Sequence, residues 1–199
     1  MKKTLFSMAL LPLFAGAAMS EDLNYTVNND TDTKGSIFVG GKLSADESVA
    51  YQTVNVNISG GTISAGDGEN LYWKDGIYAG ASEFGNENTS FTADKVSINM
   101  TGGDINNIIA GSFSTEKGST SIGSTEITIS GGLVRNSVLG GSILTYNNAT
   151  NMGYATSHVG SSKITISGDA VIGESVSSAK DKSENNDVIF NSVYGGGYT

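Results

Sequence analysis

Apolar residues alternate with small polar ones in four stretches of the chain. These are VNVNISGGTI (Val54–Ile63), VSINMTGGDI (Val96–Ile105), EITISGGLV (Glu126–Val134) and KITISGDAVI (Lys163–Ile172). The period of two is that of a strand with one buried face: Val54, Val56 and Ile58 face one way, and the intervening asparagines the other. Each run meets Gly-Gly or Gly-Asp. A second phrase then follows: GIYAGA (Gly76–Ala81), NIIAGS (Asn107–Ser112), SVLGGS (Ser137–Ser142) and SVYGGG (Ser192–Gly197). An earlier copy of it, SIFVGG (Ser36–Gly41), has no clear first phrase before it. Helical periodicity is nearly absent. The one candidate, Ser175–Asp187, reads better as a polar loop.

The segments between phrases vary: Lys42–Thr53, Ser64–Asp75, Ser82–Asp94, Phe113–Ser124, Ile143–Ser161 and Gly173–Asp187 read as loops. The repeat period is therefore irregular, roughly 30 to 55 residues. One unit holds too few apolar residues for a core of its own, whereas stacked units can share one. Stacking predicts a ladder of Ile58, Met100, Ile129 and Ile166 along one axis. The expected fold is all-β, a parallel β-helix (β-solenoid) of about four to five irregular coils with glycines at its corners. The alternative is a β-sandwich built from the same short strands. Residues 36–199 form the expected repeat region, and residues 21–35 an N-terminal cap or a disordered lead-in.

The first twenty residues stand apart. Lys2 and Lys3 precede an apolar run, Leu5–Leu13, too short to span a bilayer. Ala18 and Ser20 then have the spacing of a signal-peptidase site, which places the cut after Ser20. The expectation is an exported protein without a transmembrane segment in its mature chain. Formal net charge is −9 for the whole sequence and −11 once Lys2 and Lys3 are removed. That disfavours nucleic acid and anionic lipid as partners. There is no cysteine, so thiolate metal sites and cysteine nucleophiles are excluded. Glycine, at 27 residues, is about twice its ordinary usage, and the single proline lies in the leader.

At ITISGGLVRNSVLGGS (Ile127–Ser142) and VIFNSVYGGGY (Val188–Tyr198) the chain resembles the glycine-rich repeats in passenger regions of bacterial autotransporters and related adhesin-like surface proteins. The resemblance covers about Ser36–Thr199 and carries no catalytic signature. It implies a right-handed, pectin-lyase-like β-helix carried to the surface of a Gram-negative bacterium by a C-terminal outer-membrane β-barrel. No barrel follows here, since the sequence stops within a repeat at YGGGYT, and the expectation is a truncated passenger. The implied function is a non-enzymatic surface or secreted stalk or adhesin, with a host surface or glycan as partner. The alternative is a carbohydrate-active β-helix protein, a polysaccharide lyase or glycoside hydrolase, with an incomplete site in this chain.

Catalytic groups are sparse. The one histidine, His158, sits in an expected loop and forms no readable triad. The one arginine, Arg135, has no acid in its own phrase, so a lyase site is unsupported and a surface contact or stacking ladder is expected. Carboxylate pairs, Asp67 with Glu69 and Glu83 with Glu87, lie in loops where solvated charge is the ordinary reading. Asp67 and Glu69, in GDGEN, are weak calcium ligands without a full EF-hand loop; no cofactor is expected. The favoured ligand-binding residues are Tyr72, Trp73 and Tyr78 in NLYWKDGIY, where aromatic faces can stack on sugar rings, or cap the flank of the stack instead.

Overall fold

The computed structural model describes residues 22–65, 75–82, 84–114, 117–144, 155–173 and 193–196, and the structural statements below concern these. They form strands and turns without a helix. The chain makes five passes. The first holds β1 (Leu23–Val27), β2 (Asp32–Lys34) and β3 (Ile37–Phe38), and the second β4 (Ser48–Ser64) and β5 (Ile77–Tyr78). The third holds β6 (Ser90–Ile105), β7 (Ile108–Ile109) and β8 (Phe113–Ser114). The fourth holds β9 (Ser119–Ile129), β10 (Leu133–Val134), β11 (Val138–Leu139) and β12 (Ile143–Leu144). The fifth holds β13 (Thr156–Ile166), β14 (Val171–Ile172) and β15 (Val193–Tyr194).

Each pass pairs with the next in parallel. An eight-stranded sheet joins β1, β2, β4, β6, β9, β10, β13 and β14. A five-stranded sheet runs β3-β5-β7-β11-β15, and β8 pairs β12 in a third. Every strand pair is parallel, unlike the antiparallel pairing of the sandwich alternative. The arrangement is all-β and consistent with a β-solenoid. Ile58 pairs with Met100, Met100 with Ile129 and Ile129 with Ile166, as the alternation predicts. The inward rows meet in one core containing Val56, Ile98, Ile127, Ile105 and Val134, each essentially inaccessible to water.

Three expectations change. Residues 21–35, expected as an N-terminal cap or a disordered lead-in, are ordered from Asp22 on, with β1 and β2 paired to β4. Leu23, Tyr25 and Val27 supply the alternation, and Asn28–Thr31 replaces the glycine pair. The long strands also start inside the expected loops, at Ser48, Ser90, Ser119 and Thr156. Their inward rows there are Val49, Phe91, Thr120 and Ser157, then Tyr51, Ala93, Ile122 and Val159; the first is apolar in only two passes, so the alternation is too thin a signal to read as strand. Finally, the first Gly-Gly of each unit bends a sheet that continues. β4 runs through Gly60 and Gly61 with register shifts at Ile58/Ser59 and Ser59/Thr62, which is bulge geometry.

Glycine is required at these bends for two reasons. Gly103 and Gly132 have φ of 99° and 88°, where a side chain is strained. At the second bend, Gly40, Gly80, Gly111 and Gly141 form a column in which each N–H donates to the carbonyl of the glycine one pass on, at 2.9–3.0 Å. A Cβ on Gly111 would lie 2.6 Å from the Ser142 nitrogen and 2.7 Å from the Gly141 carbonyl carbon. The neighbouring pass therefore occupies the space of a side chain.

Ile98→Ala should lower unfolding stability by about 2–5 kcal/mol, and Gly111→Ala by about 1–3 kcal/mol through overpacking against backbone. Asn57→Ala, on the outward face, should stay within about 0.5 kcal/mol of wild type. Urea denaturation followed by circular dichroism checks all three. Equal effects at Ile98 and Asn57 would contradict the inward and outward assignment.

Candidate functional site

The outward face of the eight-stranded sheet is the candidate interface. Its rows follow from the period of two: once Val56, Ile98 and Ile127 face the core, their neighbours must face water. One row is Thr26, Asn57, Asn99, Thr128 and Thr165, in register over all five passes and without charge. The adjacent row is Asn24, Asn55, Ser97, Glu126 and Lys163. Successive members stand about 4.8 Å apart along the stack, the ordinary spacing of paired strands. Hydroxyls and amides both donate and accept hydrogen bonds, so the array suits a polar, extended ligand. The Asn55 amide donates to Asn24 Oδ1 at 3.0 Å, giving the amide row a fixed orientation at its start.

Charge on this face is arranged as a short ladder. Lys95 Nζ donates to Glu126 Oε2 at 2.9 Å, and Lys163 Nζ reaches Glu126 Oε1 at 3.4 Å. The hydrogen bonds from Lys95 and then Lys163, with their charges, hold the Glu126 carboxyl below its ordinary range. On the adjoining part of the sheet Arg135 makes a two-pronged pair with Asp104 one pass earlier, its Nε at 2.6 Å from Oδ1. The acid missing from the arginine's own phrase is thus supplied thirty-one positions away. Just beyond it, Asn106 and Asn107 both donate to the Asp75 carbonyl oxygen, Asn136 donates to Asn106 Oδ1 at 2.7 Å, and the Ser137 N–H donates to Asn107 Oδ1. These asparagines fasten one corner to the next. The thirty-residue spacing of INNI and VRNSV was the signal for them in the sequence.

A further fastening lies at the corner before β4 and β6. Asp46 has φ of 63°, and its N–H and carboxylate both bond the Asn86 side chain, while Asn88 donates to the same carboxylate. The hydrogen bonds from Asn86 and then Asn88 hold the Asp46 carboxyl below its ordinary range. Glu87 is exposed in this turn, and Glu83 lies outside the described residues.

Tyr72, Trp73, Asp67 and Glu69 also lie outside the described residues. Tyr78 is fully buried in β5. Its ring stacks on Phe38 at 4.8 Å between centroids and meets Phe113 edge-on at 5.9 Å. Burial, with Asp75 nearby, pushes its phenol far above the ordinary range, so it stays neutral. Tyr78 therefore packs in a small second core with Ile109, Leu139 and Ile143, and its face is closed to a sugar ring. The sequence obscured this because IY follows directly on the polar WKDG. His158 is exposed in β13 and not in a loop, in the outward row of Ala50, Thr92 and Ser121. Among the described residues no three of His, Cys, Asp and Glu gather as a metal site, and no helix is long and apolar enough to cross a membrane.

No family model, curated protein or solved structure matches the chain.

The Glu126 ladder sets a pH dependence. Because its folded carboxyl is lowered, its contribution is present above the ordinary glutamate range and is lost as pH falls through the folded value. Carboxyl carbon NMR should give Glu126 a midpoint below that of ordinary exposed glutamates, restored toward the ordinary range in Lys95→Met/Lys163→Met. An unchanged midpoint in that double variant would contradict the ladder.

Proposed function

We propose that this chain is an exported passenger segment of a bacterial surface or secreted protein, folded as a right-handed β-helix and serving without catalysis as an adhesin-like or structural stalk. The observation that supports it most is the parallel pairing of each pass with the next over five passes of the described residues. A body built this way lengthens by adding passes without altering those already present, which is what a stalk needs. Its outward rows of Thr and Asn offer a regular polar surface to a glycan or host surface. The leader-like residues 1–20, the mature charge of −11 and the repeat phrases resembling autotransporter passengers all point to export and display.

The test is expression of residues 1–199 in a Gram-negative host, followed by fractionation and N-terminal sequencing. The product should lie beyond the inner membrane and begin at Glu21; cytoplasmic protein that retains Met1 would overturn the export reading. The purified mature chain should then bind a glycan panel, or host cells, without releasing oligosaccharide products. Catalytic release abolished by one carboxylate substitution would replace the stalk with an enzyme. Trp73→Ala separates recognition from packing. Binding lost with an unchanged melting temperature places Trp73 at the ligand, and a large fall in melting temperature places it in the fold.

A further inference from the structure

The polar side chains of the chain divide into those the fold uses and those it leaves free. Among the described asparagines, Asn86, Asn88, Asn106, Asn107 and Asn136 at the corners all donate side-chain hydrogen bonds within the chain. Asn57 and Asn99 are partners in register at mid-strand, and their side chains make none among the described residues. Nor do those of Thr26, Thr128 and Thr165, which complete the row. Four of the five are exposed and Thr128 is half-buried. Their donors and acceptors are open to a ligand, and rigid strands hold them in line.

Charge narrows the ligand. The mature chain carries −11, yet this face is balanced. The two rows before this one, which begin at Asp22 and Asn24, hold two acids, Asp22 and Glu126, and two bases, Lys95 and Lys163. Both lysines reach Glu126. The positions after Ile58, Met100, Ile129 and Ile166 are Ser59, Thr101, Ser130 and Ser167. Other described acids stand at bends and corners, as Asp46, Glu47, Glu87, Asp94 and Asp169 do. A polyanion meets the field of the whole acidic molecule and is offered no cation by the row itself, and a polycation is drawn to the acidic corners.

Spacing narrows it further. The row advances about 4.8 Å per pass, so its five members span about 19 Å. One step is close to the length that one sugar adds in an extended, equatorially 1,4-linked chain, and exceeds the advance per sugar in a coiled α-1,4 chain. We propose that the row Thr26–Asn57–Asn99–Thr128–Thr165 binds a neutral, extended polysaccharide laid along the stack, one sugar to each pass. This rests on the glycan-binding form of the function given above. Hydroxyl and amide groups match the mixed donors and acceptors along the edge of such a chain. The strands fix their spacing before the ligand arrives.

Titration of the full mature chain, residues 21–199, with the β-1,4-linked hexasaccharides of glucose and mannose tests this by NMR and calorimetry. The side-chain amide signals of Asn57 and Asn99 should shift, while those of Asn106 and Asn136 stay still. Affinity should rise with chain length up to about one sugar per pass, and should change little between low and high salt. Asn57→Ala/Asn99→Ala should weaken binding about tenfold with an unchanged melting temperature. If that variant does not fold, the signal shifts in the wild-type chain carry the test. Equal binding of the α-1,4-linked glucose hexasaccharide, affinity indifferent to chain length, or unmoved Asn57 and Asn99 signals would overturn the proposal. Binding of polygalacturonate or host cells without the neutral hexasaccharides would overturn it and leave the adhesin reading standing. Binding of none of these would remove the glycan-binding reading as well.

Discussion

The structure depends on the backbone hydrogen bonds that join each pass to the next. In a parallel sheet made by successive passes, every strand must return to the same side of the cross-section, one strand spacing further along and in the same direction, before it can pair. The cross-section at the paired positions cannot vary, although the length of chain between them can. Gly40, Gly80, Gly111 and Gly141 meet this constraint most directly: their backbone groups bond in one column, and at the first three there is no room for a side chain. The serines that follow extend the fastening: the Ala81 N–H donates to Ser112 Oγ and the Ser112 N–H to Ser142 Oγ, both at 3.0 Å. The Ala81 and Ser112 N–H groups at the corner are thereby satisfied inside the stack, whereas the buried Ser82 Oγ beside them has no partner among the described residues.

Apolar packing is the second consequence of the same register. Rows such as Val56–Ile98–Ile127–Ile164 bring each residue against its equivalents above and below. No pass is a core in itself, and the middle ones are the best covered. The polar side chains divide by the same geometry. Those at corners, such as Asn106, Asn107 and Asn136, bind one another and the backbone, and those on the broad face remain available to water.

Much of this was legible in the sequence. The ladder from Ile58 to Ile166 needed only the period of two and the assumption that like phrases stack. The corners were marked by Gly-Gly. The first halves of the long strands were not legible, because Ser90–Lys95 or Ser119–Ser124 has too few apolar residues for alternation to stand out from a Ser- and Thr-rich background. The partner of Arg135 was hidden for a different reason: Asp104 is near only once the register is known. Tyr78 misled because local sequence predicts exposure from its polar neighbours, whereas burial is decided by Phe38 and Phe113, one pass away on either side. The aromatic and acidic residues expected as a site, Tyr72, Trp73, Asp67 and Glu69, are legible as chemistry and lie outside the described residues.

The connections between strands differ widely in length. Residues 66–74 fall between β4 and β5, 145–154 between β12 and β13, and 174–192 between β14 and β15. The strands on either side of each hold the register that shorter connections hold elsewhere, as between β6 and β7 or β10 and β11. Strand register and connection length are thus separable properties of this chain. Insertions and substitutions in those connections can accumulate without changing the pitch of the body, while a single methyl group added in the glycine column is felt by the backbone of the neighbouring pass. Such a chain can diversify quickly in its connections and hardly at all at its corners.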